Sequence, residues 1–514
     1  MSAKVFSAAI IGLDASPIEV EVDISGGLSL FNIVGLPDKA VEESKERVGA
    51  ALKNSGAISP QSKSQRITVN LAPADLKKQG SLYDLPIAVG YLLASKQIDF
   101  STEKKLFCGE LSLEGRLRHV NGILAVADLA RKKGFEEFYV PGVDVSEASL
   151  IEGVRIMPVN TLKELIQHFL GTKMIIEASK SSLFEELIKK DQAYEEGLDF
   201  AYIRGQDQAK RALELAAAGG HNVIFSGSPG SGKTILARSF PTILPPMDIE
   251  EALEVTRIFS VAGVLSSDNP LLVNRPFRSP HHSASSISLV GGGTFPRPGE
   301  VTLAHRGVLF LDEFPEFPRR ALESLRQPME DGYVTISRAA GTIKFPANFT
   351  LIAAMNPCPC GNLNDSVKQC ICAPSQVAKY KRRVSGPILD RIDIHVNVPR
   401  LKYEKLTSEK LEELSGEIRK RVARARKTQK ERFKNAKNFL NSGMNNLQIK
   451  QFCEIDNTSR DLMRNAVNQY HLSARSYFRI LKVARTIADL GLSEKILPEH
   501  LAEAIQYRVH EEIE

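Results

Sequence analysis

The sequence has no run of about 18 apolar residues, the length that a helix needs to span the hydrocarbon core of a membrane. Residues 1–7 contain no sustained apolar stretch, and acidic residues follow early, which argues against a secretory signal peptide. Internal repeats and low-complexity tracts are absent as well. We therefore expect no association with a membrane and a location in the cytoplasm.

Neither sign of charge is in large excess. The 514 residues include 67 lysines and arginines and 61 acidic residues, and the resulting net charge of +6 indicates no partner by itself. Hydrophobic residues make up 43% and charged residues 25%, as in ordinary globular proteins, and the length leaves room for about three domains. One segment, 417–434, holds nine basic and two acidic side chains, and it is either a solvated helix face or a nucleic-acid contact.

Residues 227–234 read Gly-Ser-Pro-Gly-Ser-Gly-Lys-Thr, between a strand-like run and a helical run. Glycines let successive backbone N–H groups turn inward around a phosphate, and the positive end of the helix dipole adds to the same place. Lys233 would supply a mobile charge for the β- and γ-phosphates, and the Thr234 hydroxyl a ligand for Mg²⁺. The motif predicts a nucleoside triphosphate site built from Gly227, Ser228, Pro229, Gly230, Ser231, Gly232, Lys233 and Thr234.

A buried-strand run at 307–311 ends in two carboxylates, Asp312 and Glu313. Because side chains alternate along a strand, we expect the two to point in different directions. Asp312 can then hold the Mg²⁺ shell while Glu313 polarises the attacking water. A third strand-like run ends at Asn356, which would orient that water. Together these groups predict hydrolysis of the bound nucleotide.

Composition and turn signals divide the chain into four segments. Residues 1–170 alternate strand-like and helical runs and predict an α+β domain, and residues 171–195 have the charged, helical pattern of a linker. Residues 196–399 place the nucleotide motifs on alternating strands and helices, which indicates an α/β core. Residues 400–514 are helical in pattern and predict a lid. The fold class is α/β.

The order of these parts resembles that of AAA+ ATPases. Residues 199–206, which include Ile203, are similar to the segment that covers the adenine in that superfamily, and Asn356 lies where its first sensor lies. The resemblance implies ATP and Mg²⁺ as cofactors, a P-loop α/β core with a C-terminal helical lid, and assembly into a ring.

Two arginines receive roles from the same resemblance. The string Ser-Gly-Pro-Ile-Leu-Asp-Arg is similar to the box that carries the arginine finger, which implies that Arg391 reaches a neighbouring subunit's nucleotide, with Arg382 and Arg383 as alternatives. Leu-Ser-Ala-Arg resembles the second-sensor motif of the lid, which implies a role for Arg475, whereas Arg479 is expected to pack or pair. Because a finger supplied by a neighbour leaves a monomer inactive, the resemblance implies a homo-hexamer.

Three longer strings resemble a narrower group. Arg-Ser-Pro-His-His at 278–282, Leu-Arg-Gln-Pro-Met-Glu-Asp-Gly at 325–332 and Asn-Pro-Cys-Pro-Cys-Gly at 356–361 are similar to the magnesium-chelatase-like branch, specifically the ComM/YifB family of bacterial ATPases. The resemblance covers essentially the whole chain. His281 and His282 have no cysteine or carboxylate at ligand spacing, so we expect them to position or cap other groups rather than bind a metal.

The first domain resembles the proteolytic domain of Lon-type proteases, a ribosomal S5 domain 2-like α+β fold, through residues 109–117 and 120–124. That family needs a serine in a Gly-Pro-Ser-Ala-Gly string and a lysine after Gly-Gly-Leu. Here the first string is Gly-Ser-Leu-Tyr-Asp-Leu-Pro, which places Tyr83 or Asp84 near the serine position and leaves Ser81 as a turn residue. Leu124 stands at the lysine position. Since a serine without a base is a poor nucleophile, we expect an inactive domain that organises a ring or lines a channel.

Four cysteines lie within fifteen residues: Cys358, Cys360, Cys370 and Cys372. Four thiolates suit a tetrahedral zinc site, and disulfides are disfavoured in a reducing cytoplasm. The one-residue separation within each pair departs from the usual two to four, so structural zinc, reversible disulfides and unligated thiols all stay open.

Residues 333–345 read as two short strands joined by Ala-Ala-Gly, a hairpin that would present Arg338 and Lys344 toward the pore of a ring. Such basic groups contact phosphates without regard to base sequence. In related ring motors a hairpin at this place touches DNA. A hairpin that merely packs on its neighbour is the alternative.

Three functions compete. The ComM resemblance implies a hexameric DNA motor with branch-migration or helicase activity in recombination during natural transformation. A metal-chelatase motor subunit shares the core motifs but should lack the Lon-like domain. A protein-remodelling ATPase is the third possibility, although the core lacks an obvious aromatic pore loop and its hairpin is basic. The DNA motor is the favoured interpretation, with single-stranded or branched DNA as the partner.

Overall fold

The computed structural model describes residues 2–178, 197–266, 268–293, 296–338, 341–363, 365, 367–401, 412–434 and 440–508. Most of the predicted linker at 171–195 lies outside the described residues. The chain divides into two compact units, which are Met1–Lys189 with Ile249–Leu272, and Lys190–Asp248 with Val273–Glu514.

The first unit is built on a seven-stranded mixed sheet in the order β3-β4-β2-β1-β5-β8-β9. Strands β2 and β4 alternate buried positions with more exposed ones, and the side chains of Ile18, Val20 and Val22 on β2 are fully buried. The strands of this unit are β1 Ser2–Ile11, β2 Asp14–Gly26, β3 Leu30–Val34, β4 Gln65–Ala72, β5 Lys105–Phe107, β6 Glu110–Leu111, β7 Leu117–Arg118, β8 Glu137–Pro141 and β9 Arg155–Val159.

Helices complete the core of this unit. The helix Asp84–Ala94 is the most deeply placed, because nearly all of its side chains are buried. The helices that precede the nucleotide motifs are Lys39–Glu42, Ser44–Asn54, Asp84–Ala94, Ile123–Lys133, Val145–Ala148 and Leu162–Phe169.

One further helix of the first unit comes from a distant part of the chain. Ile249–Ala262 packs against Ile123–Lys133 and belongs to this unit, although it lies inside the stretch 196–399 that the sequence predicts as the ATPase core. Arg257 Nη2 donates to Asp128 Oδ2 over 3.0 Å. The Ser260 hydroxyl donates to the buried carboxylate of Glu147 over 2.5 Å.

The second unit is built on a five-stranded parallel sheet in the order β11-β14-β17-β10-β18. The central strands are apolar on both faces, as expected for a parallel sheet covered by helices. The strands of this unit are β10 Val223–Ser226, β11 Phe277–Arg278, β12 Gly291–Gly292, β13 Arg297–Pro298, β14 Val308–Leu311, β15 Tyr333–Arg338, β16 Gly341–Pro346, β17 Thr350–Met355 and β18 Ile394–Asn397.

Helices surround this sheet and form the C-terminal region. Those of the core are Asp207–Gly219, Lys233–Ser239, Ser286–Val290, Glu300–Leu303, Arg319–Glu323, Arg326–Asp331, Pro374–Lys381 and Gly386–Leu389. Those of the C-terminal region are Ser415–Arg432, Asn446–Phe452, Asn457–Tyr470, Ala474–Leu490 and Pro498–Gln506.

The C-terminal helices are joined by a buried polar cluster. Asp489 accepts hydrogen bonds from Arg432, over 2.6 and 2.9 Å, and from Arg485, over 3.0 Å.

The parallel sheet with its surrounding helices confirms the predicted α/β class, and the helices from residue 415 onward confirm the predicted helical C-terminal region. Within the described ranges, no helix is long and apolar enough to cross a membrane.

Candidate functional site

The Gly-rich loop 227–234 connects β10 to the helix Lys233–Ser239, as the sequence predicts. Gly230 and Gly232 have φ of +75° and +97°, backbone conformations that favour glycine. At Gly227 an added Cβ would lie 2.2 Å from the carbonyl oxygen of Val398, so a side chain does not fit there. The glycines are thus required by the path of the loop.

The Lys233 ammonium lies over this loop. Its Nζ donates to the carbonyl oxygens of Gly227 and Ser228 over 2.6 and 3.0 Å, and to Asn356 Oδ1 over 3.2 Å. Burial lowers the pKa of Lys233, although Asp312 opposes the shift. A charge held by neutral oxygens in a poorly solvated place attracts an anion strongly.

Asp312 and Thr234 meet beside the loop. The Thr234 hydroxyl donates to Asp312 Oδ2 over 2.9 Å, because β14 and β10 both pair with β17 in parallel and end at the same edge of the sheet. A hydroxyl and a carboxylate are the hard oxygen ligands that Mg²⁺ prefers, so these two residues fit the ion.

Glu313 lies beyond the strand rather than on it. Strand β14 ends at Leu311, and Glu313 has a left-handed φ of +51°. The expectation that strand alternation separates the two carboxylates is therefore wrong, because a turn sets their directions. Glu313 Oε2 lies 2.9 Å from Nδ1 of His282, a contact that the sequence analysis missed.

Asn356, predicted as the first sensor, follows β17 and contacts Lys233 directly. Gln206 joins the same region, since its Nε2 donates to the carbonyl oxygens of Ser231 and Pro399 over 3.1 and 2.7 Å. Gln206 has a left-handed φ of +58°, and no sequence signal pointed to this contact. Ile203, predicted to contact the adenine, is buried after the short helix Phe200–Tyr202.

The two arginines with predicted roles converge on one carboxylate. Arg391 Nη2 lies 2.6 Å from Glu330 Oε1 and its Nη1 donates to the carbonyl oxygen of Pro387 over 2.5 Å. Arg475 Nη2 lies 3.8 Å from the same Glu330 oxygen. The side chain of Arg391 is 8% exposed and that of Arg475 is 55% exposed.

Three further arginines were candidates in the sequence analysis, and each has surroundings different from those of Arg391 and Arg475. Arg383 pairs with Glu316 over 2.5 Å, and Arg382 is exposed. Arg479 pairs with the buried carboxylate of Asp393.

The predicted basic hairpin forms from β15 and β16, with Thr335 opposite Lys344 and Arg338 opposite Gly341. Lys344 is exposed, and its ammonium lies 5.0 Å from the centre of the Tyr333 ring. The inner face of the hairpin is apolar, with Val334 and Phe345 fully buried. The side chain of Arg338 lies outside the described part of the structure.

The four clustered cysteines meet in space. Sγ of Cys358 lies 3.4 Å from that of Cys360 and 3.6 Å from that of Cys370, and all four sulfurs, with that of Cys372, lie within 4.8 Å of one another. Backbone N–H groups of Asn362 and Ile371 lower the pKa of Cys360 to about 6. The group can hold a metal ion.

In the first unit, the residues at the peptidase positions are otherwise engaged. The Ser81 hydroxyl donates to Glu110, and Leu124 is fully buried, with its backbone N–H donating to Glu147 over 2.8 Å. Tyr83 is also fully buried. The absence of a serine–lysine pair stays a prediction from the sequence.

Three family profiles match the chain. They are described as "Magnesium chelatase, subunit ChlI" at residues 199–406, "Subunit ChlI of Mg-chelatase" at 20–144, and "Magnesium chelatase, subunit ChlI C-terminal" at 412–508.

Two similar proteins match over nearly their whole length, and a third matches over only part of it. The "Competence protein ComM" of Haemophilus influenzae is 43% identical over 513 residues, which cover 98% of this chain and 97% of that protein. The "Uncharacterized protein YifB" of Escherichia coli is 41% identical over 98% of this chain and 96% of that protein. The "Magnesium-chelatase 67 kDa subunit" of Heliobacterium mobile is 30% identical, but over only 31% of this chain and 28% of its own length.

Proposed function

The chain belongs to the ComM/YifB family of magnesium-chelatase-like AAA+ ATPases, and we propose that it is an ATP-hydrolysing hexameric ring motor that acts on DNA in the cytoplasm. The observation that carries the ATPase part is the meeting of Lys233, Thr234, Asp312 and Asn356 at one edge of a parallel sheet. Each of these groups has a separate task in phosphoryl transfer.

The tasks follow from the chemistry of each group. Lys233 balances the charge of the β- and γ-phosphates, and Thr234 with Asp312 would hold Mg²⁺. When bound there, the ion would neutralise charge that develops on the phosphate oxygens. Glu313 accepts a proton from the attacking water, and Asn356 orients that water toward the γ-phosphorus. Removing either carboxylate would therefore impair the chemical step more than nucleotide binding.

A ring completes the site if an arginine comes from the next subunit. We propose Arg391 for this role, with Arg382 and Arg383 as alternatives, and Arg475 as the lid group that senses the nucleotide. Arg391 would have to exchange Glu330 for a phosphate, since the two side chains form an ion pair over 2.6 Å. An arginine finger accelerates hydrolysis by about 10³ to 10⁵.

Full-length similarity to a protein named for competence supports DNA as the substrate. Competence is the state in which bacteria take up DNA, so a motor of this family fits recombination of the incoming strand. The exposed Lys344 on the hairpin provides a basic group for phosphate contacts. The specific activity we propose is branch migration or helicase action on single-stranded or branched DNA during natural transformation.

A metal-chelatase motor subunit is the second candidate, because all three family profiles carry that name. Against it, the chelatase subunit of Heliobacterium mobile matches only 31% of this chain, whereas ComM matches 98%. A protein-remodelling ATPase shares the same nucleotide chemistry and differs in what stimulates it.

The decisive experiment measures ATP hydrolysis by the full chain at low salt, alone and with single-stranded DNA, duplex DNA or a four-way junction. We expect stimulation by single-stranded or branched DNA. ATP hydrolysis that no DNA changes would reject the DNA motor and leave the chelatase and protein-remodelling functions. A chain that hydrolyses no ATP under any of these conditions would reject the ATPase itself.

A further inference from the structure

The loop that carries the four cysteines begins two residues after Asn356 and returns over the phosphate-binding loop. We call it the cysteine loop and define it by Cys358, Cys360, Gly361, Asp365 and the later pair Cys370 and Cys372. Three separate contacts join it, or the residue that precedes it, to the phosphate-binding loop.

The first contact is steric. Gly361 has φ of +78°, and a Cβ added there would lie 2.4 Å from Cδ and 2.7 Å from Cγ of Pro229. Real Cβ atoms do not approach other carbons so closely. The backbone of the cysteine loop therefore lies directly against the ring of Pro229, and glycine is required for that approach.

The second contact is polar. The backbone N–H groups of Val367 and Lys368 donate to Asp365 Oδ1 over 2.8 and 3.1 Å, and these groups together with Ser228 of the phosphate-binding loop lower the pKa of the Asp365 carboxyl to about 2. Arg400 lies 3.5 Å from Asp365 Oδ2. The carboxylate is thus fixed in its charged form next to Ser228.

The third contact precedes the cysteines. Asn356 Oδ1 accepts a hydrogen bond from Lys233 Nζ over 3.2 Å, and Cys358 is only two residues further along the chain. Cys358 is fully buried, so the start of the loop is anchored close to the ammonium that would meet the phosphates.

The sulfur positions match a bound metal better than they match paired cysteines. A tetrahedral Zn²⁺ with bonds of about 2.3 Å separates its sulfur ligands by about 3.8 Å. The separations among Cys358, Cys360 and Cys370 are 3.4 to 3.6 Å, whereas a disulfide needs about 2.0 Å. All four thiols are free.

We propose that Cys358, Cys360, Cys370 and Cys372 bind one Zn²⁺, and that this ion braces the cysteine loop against Ser228 and Pro229 so that the phosphate-binding loop keeps its shape. The inference rests on the proposed ATP site and is independent of DNA. Without the ion, ordering the loop has an entropic cost that nucleotide binding would have to offset. The metal therefore raises the affinity for ATP from outside the nucleotide site.

The experiment combines metal analysis with binding of a fluorescent, non-hydrolysable ATP analogue to the full chain. Protein purified without chelator should contain about one Zn²⁺ per chain. Replacing Cys370 and Cys372 together by serine should remove the zinc and raise the Kd for the analogue about tenfold. These two thiols are partly exposed, so the substitution spares the buried Cys358.

A second variant separates the brace from the metal. Gly361→Ala keeps all four thiols but cannot keep the contact with Pro229, so it should retain zinc and still bind the analogue about tenfold more weakly. Gly416→Ala is the matched control, because an added Cβ meets nothing within 4 Å there. It should change neither zinc content nor affinity.

Each outcome decides between the parts of the inference. Parent protein without zinc would overturn the metal site. Parent protein that binds zinc but whose Kd is unchanged in both the cysteine and Gly361→Ala variants would overturn the brace and leave the ATP site intact. Parent protein that binds no nucleotide would overturn the proposed ATP site, and the brace with it.

Discussion

Nδ1 of His282 lies 2.9 Å from Oε2 of Glu313, the carboxylate proposed to accept a proton from the attacking water. His282 follows β11 and Glu313 follows β14, and these strands are parallel neighbours, so both residues lie beyond the same edge of the sheet. Glu313 is in a left-handed turn and its side chain is 56% exposed, which leaves His282 as a partner that restricts its orientation.

We predict that His282→Ala lowers kcat for ATP hydrolysis between about 10- and 100-fold, because a misplaced base loses alignment with the water. Affinity for the ATP analogue should not change, since His282 does not contact the phosphate-binding loop in the described contacts. His282→Gln, which keeps a hydrogen-bond donor, should recover part of the loss. Steady-state kinetics and analogue binding measure the two effects.

His281→Ala serves as the control for this prediction. The His281 ring lies 4.0 Å from that of His282, but its Nδ1 is paired with the Ser283 hydroxyl over 2.8 Å rather than with Glu313. His281→Ala should therefore lower kcat much less than His282→Ala does. Equal losses of kcat in the two variants would mean that the segment 278–282 as a whole, and not the contact of His282 with Glu313, controls the rate.

The proposed arginine finger makes a prediction about mixtures. Arg391→Ala should bind ATP but fail to hydrolyse it, and adding Lys233→Ala subunits should restore part of the activity, because some interfaces then contain both an intact loop and an intact finger. Arg382→Ala and Arg383→Ala, tested in the same way, are the alternatives. ATPase assays of mixed subunits measure the recovery.

Glu330→Gln separates the two roles of Arg391. The variant removes the carboxylate that pairs with Arg391 over 2.6 Å and with Arg475 over 3.8 Å. If Arg391 acts in the neighbouring site, releasing it should not abolish hydrolysis, whereas Arg391→Ala should. If both variants lose hydrolysis equally and no mixture regains it, the ion pair is structural and the finger lies elsewhere.

For the hairpin we predict that replacing Arg338 and Lys344 together by alanine weakens DNA binding about equally across base sequences. Each lost phosphate contact should reduce the slope of log K against log salt by about 0.7 to 0.9. Basal ATP hydrolysis should largely persist while stimulation by DNA falls. DNA binding measured across a salt series and the ATPase assay test both parts.

Lys344→Ala alone and Thr335→Ala provide the comparison. Thr335 lies opposite Lys344 in the hairpin register, so its replacement alters the same surface without changing charge. A loss of DNA affinity in the threonine variant as large as in the lysine variant would indicate a packing effect rather than phosphate contacts.

The buried Asp393 carboxylate links stability to pH. Burial alone would raise the pKa of Asp393, but Arg479 and His221 outweigh it and hold the pKa well below its usual range. A depressed folded-state pKa stabilises the fold above the unfolded-state pKa of about 4, and this contribution is lost as pH falls through the folded value. The ion pair of Asp393 with Arg479 therefore stabilises the fold throughout the neutral pH range.

Arg479→Met should weaken this dependence. Without the guanidinium, His221 and Lys482 remain to oppose the effect of burial, so the pKa of Asp393 should rise and the fold should lose about 3 kcal/mol of stability near pH 7 and less near pH 4. Thermal unfolding at several pH values measures it. Adding Asp393→Asn to the same chain removes the titrating group and should remove the pH dependence, and its persistence would assign the effect to another group.

Local signals predicted the parts of the site that depend on neighbours in sequence. The glycines of 227–234, the strands before them and before Asp312, and the hairpin strands all follow from turn residues and apolar runs, and the structure contains them. The sheet order then brings Thr234 within 2.9 Å of Asp312, as motif order in the family implies.

Other contacts depend on distant residues and left no local pattern. His282 meets Glu313 because β11 lies next to β14, and Gln206, whose backbone is left-handed, reaches Ser231 from 25 residues away. Strand β1, Ser2–Ile11, was not predicted, because its apolar residues do not alternate regularly.

The helix Ile249–Ala262 has a consequence for how the chain is made. It supplies Arg257 to Asp128 and Ser260 to Glu147, yet it is encoded after the phosphate-binding loop. On a ribosome, the first unit therefore stays unfinished until about half of the protein has emerged, with the carboxylate of Glu147 lacking its hydroxyl partner. A protein fragment that ends near residue 170 would permanently lack the helix Ile249–Ala262. Residues 1–170, which look like a separate domain in the sequence, are therefore only part of the unit that folds together.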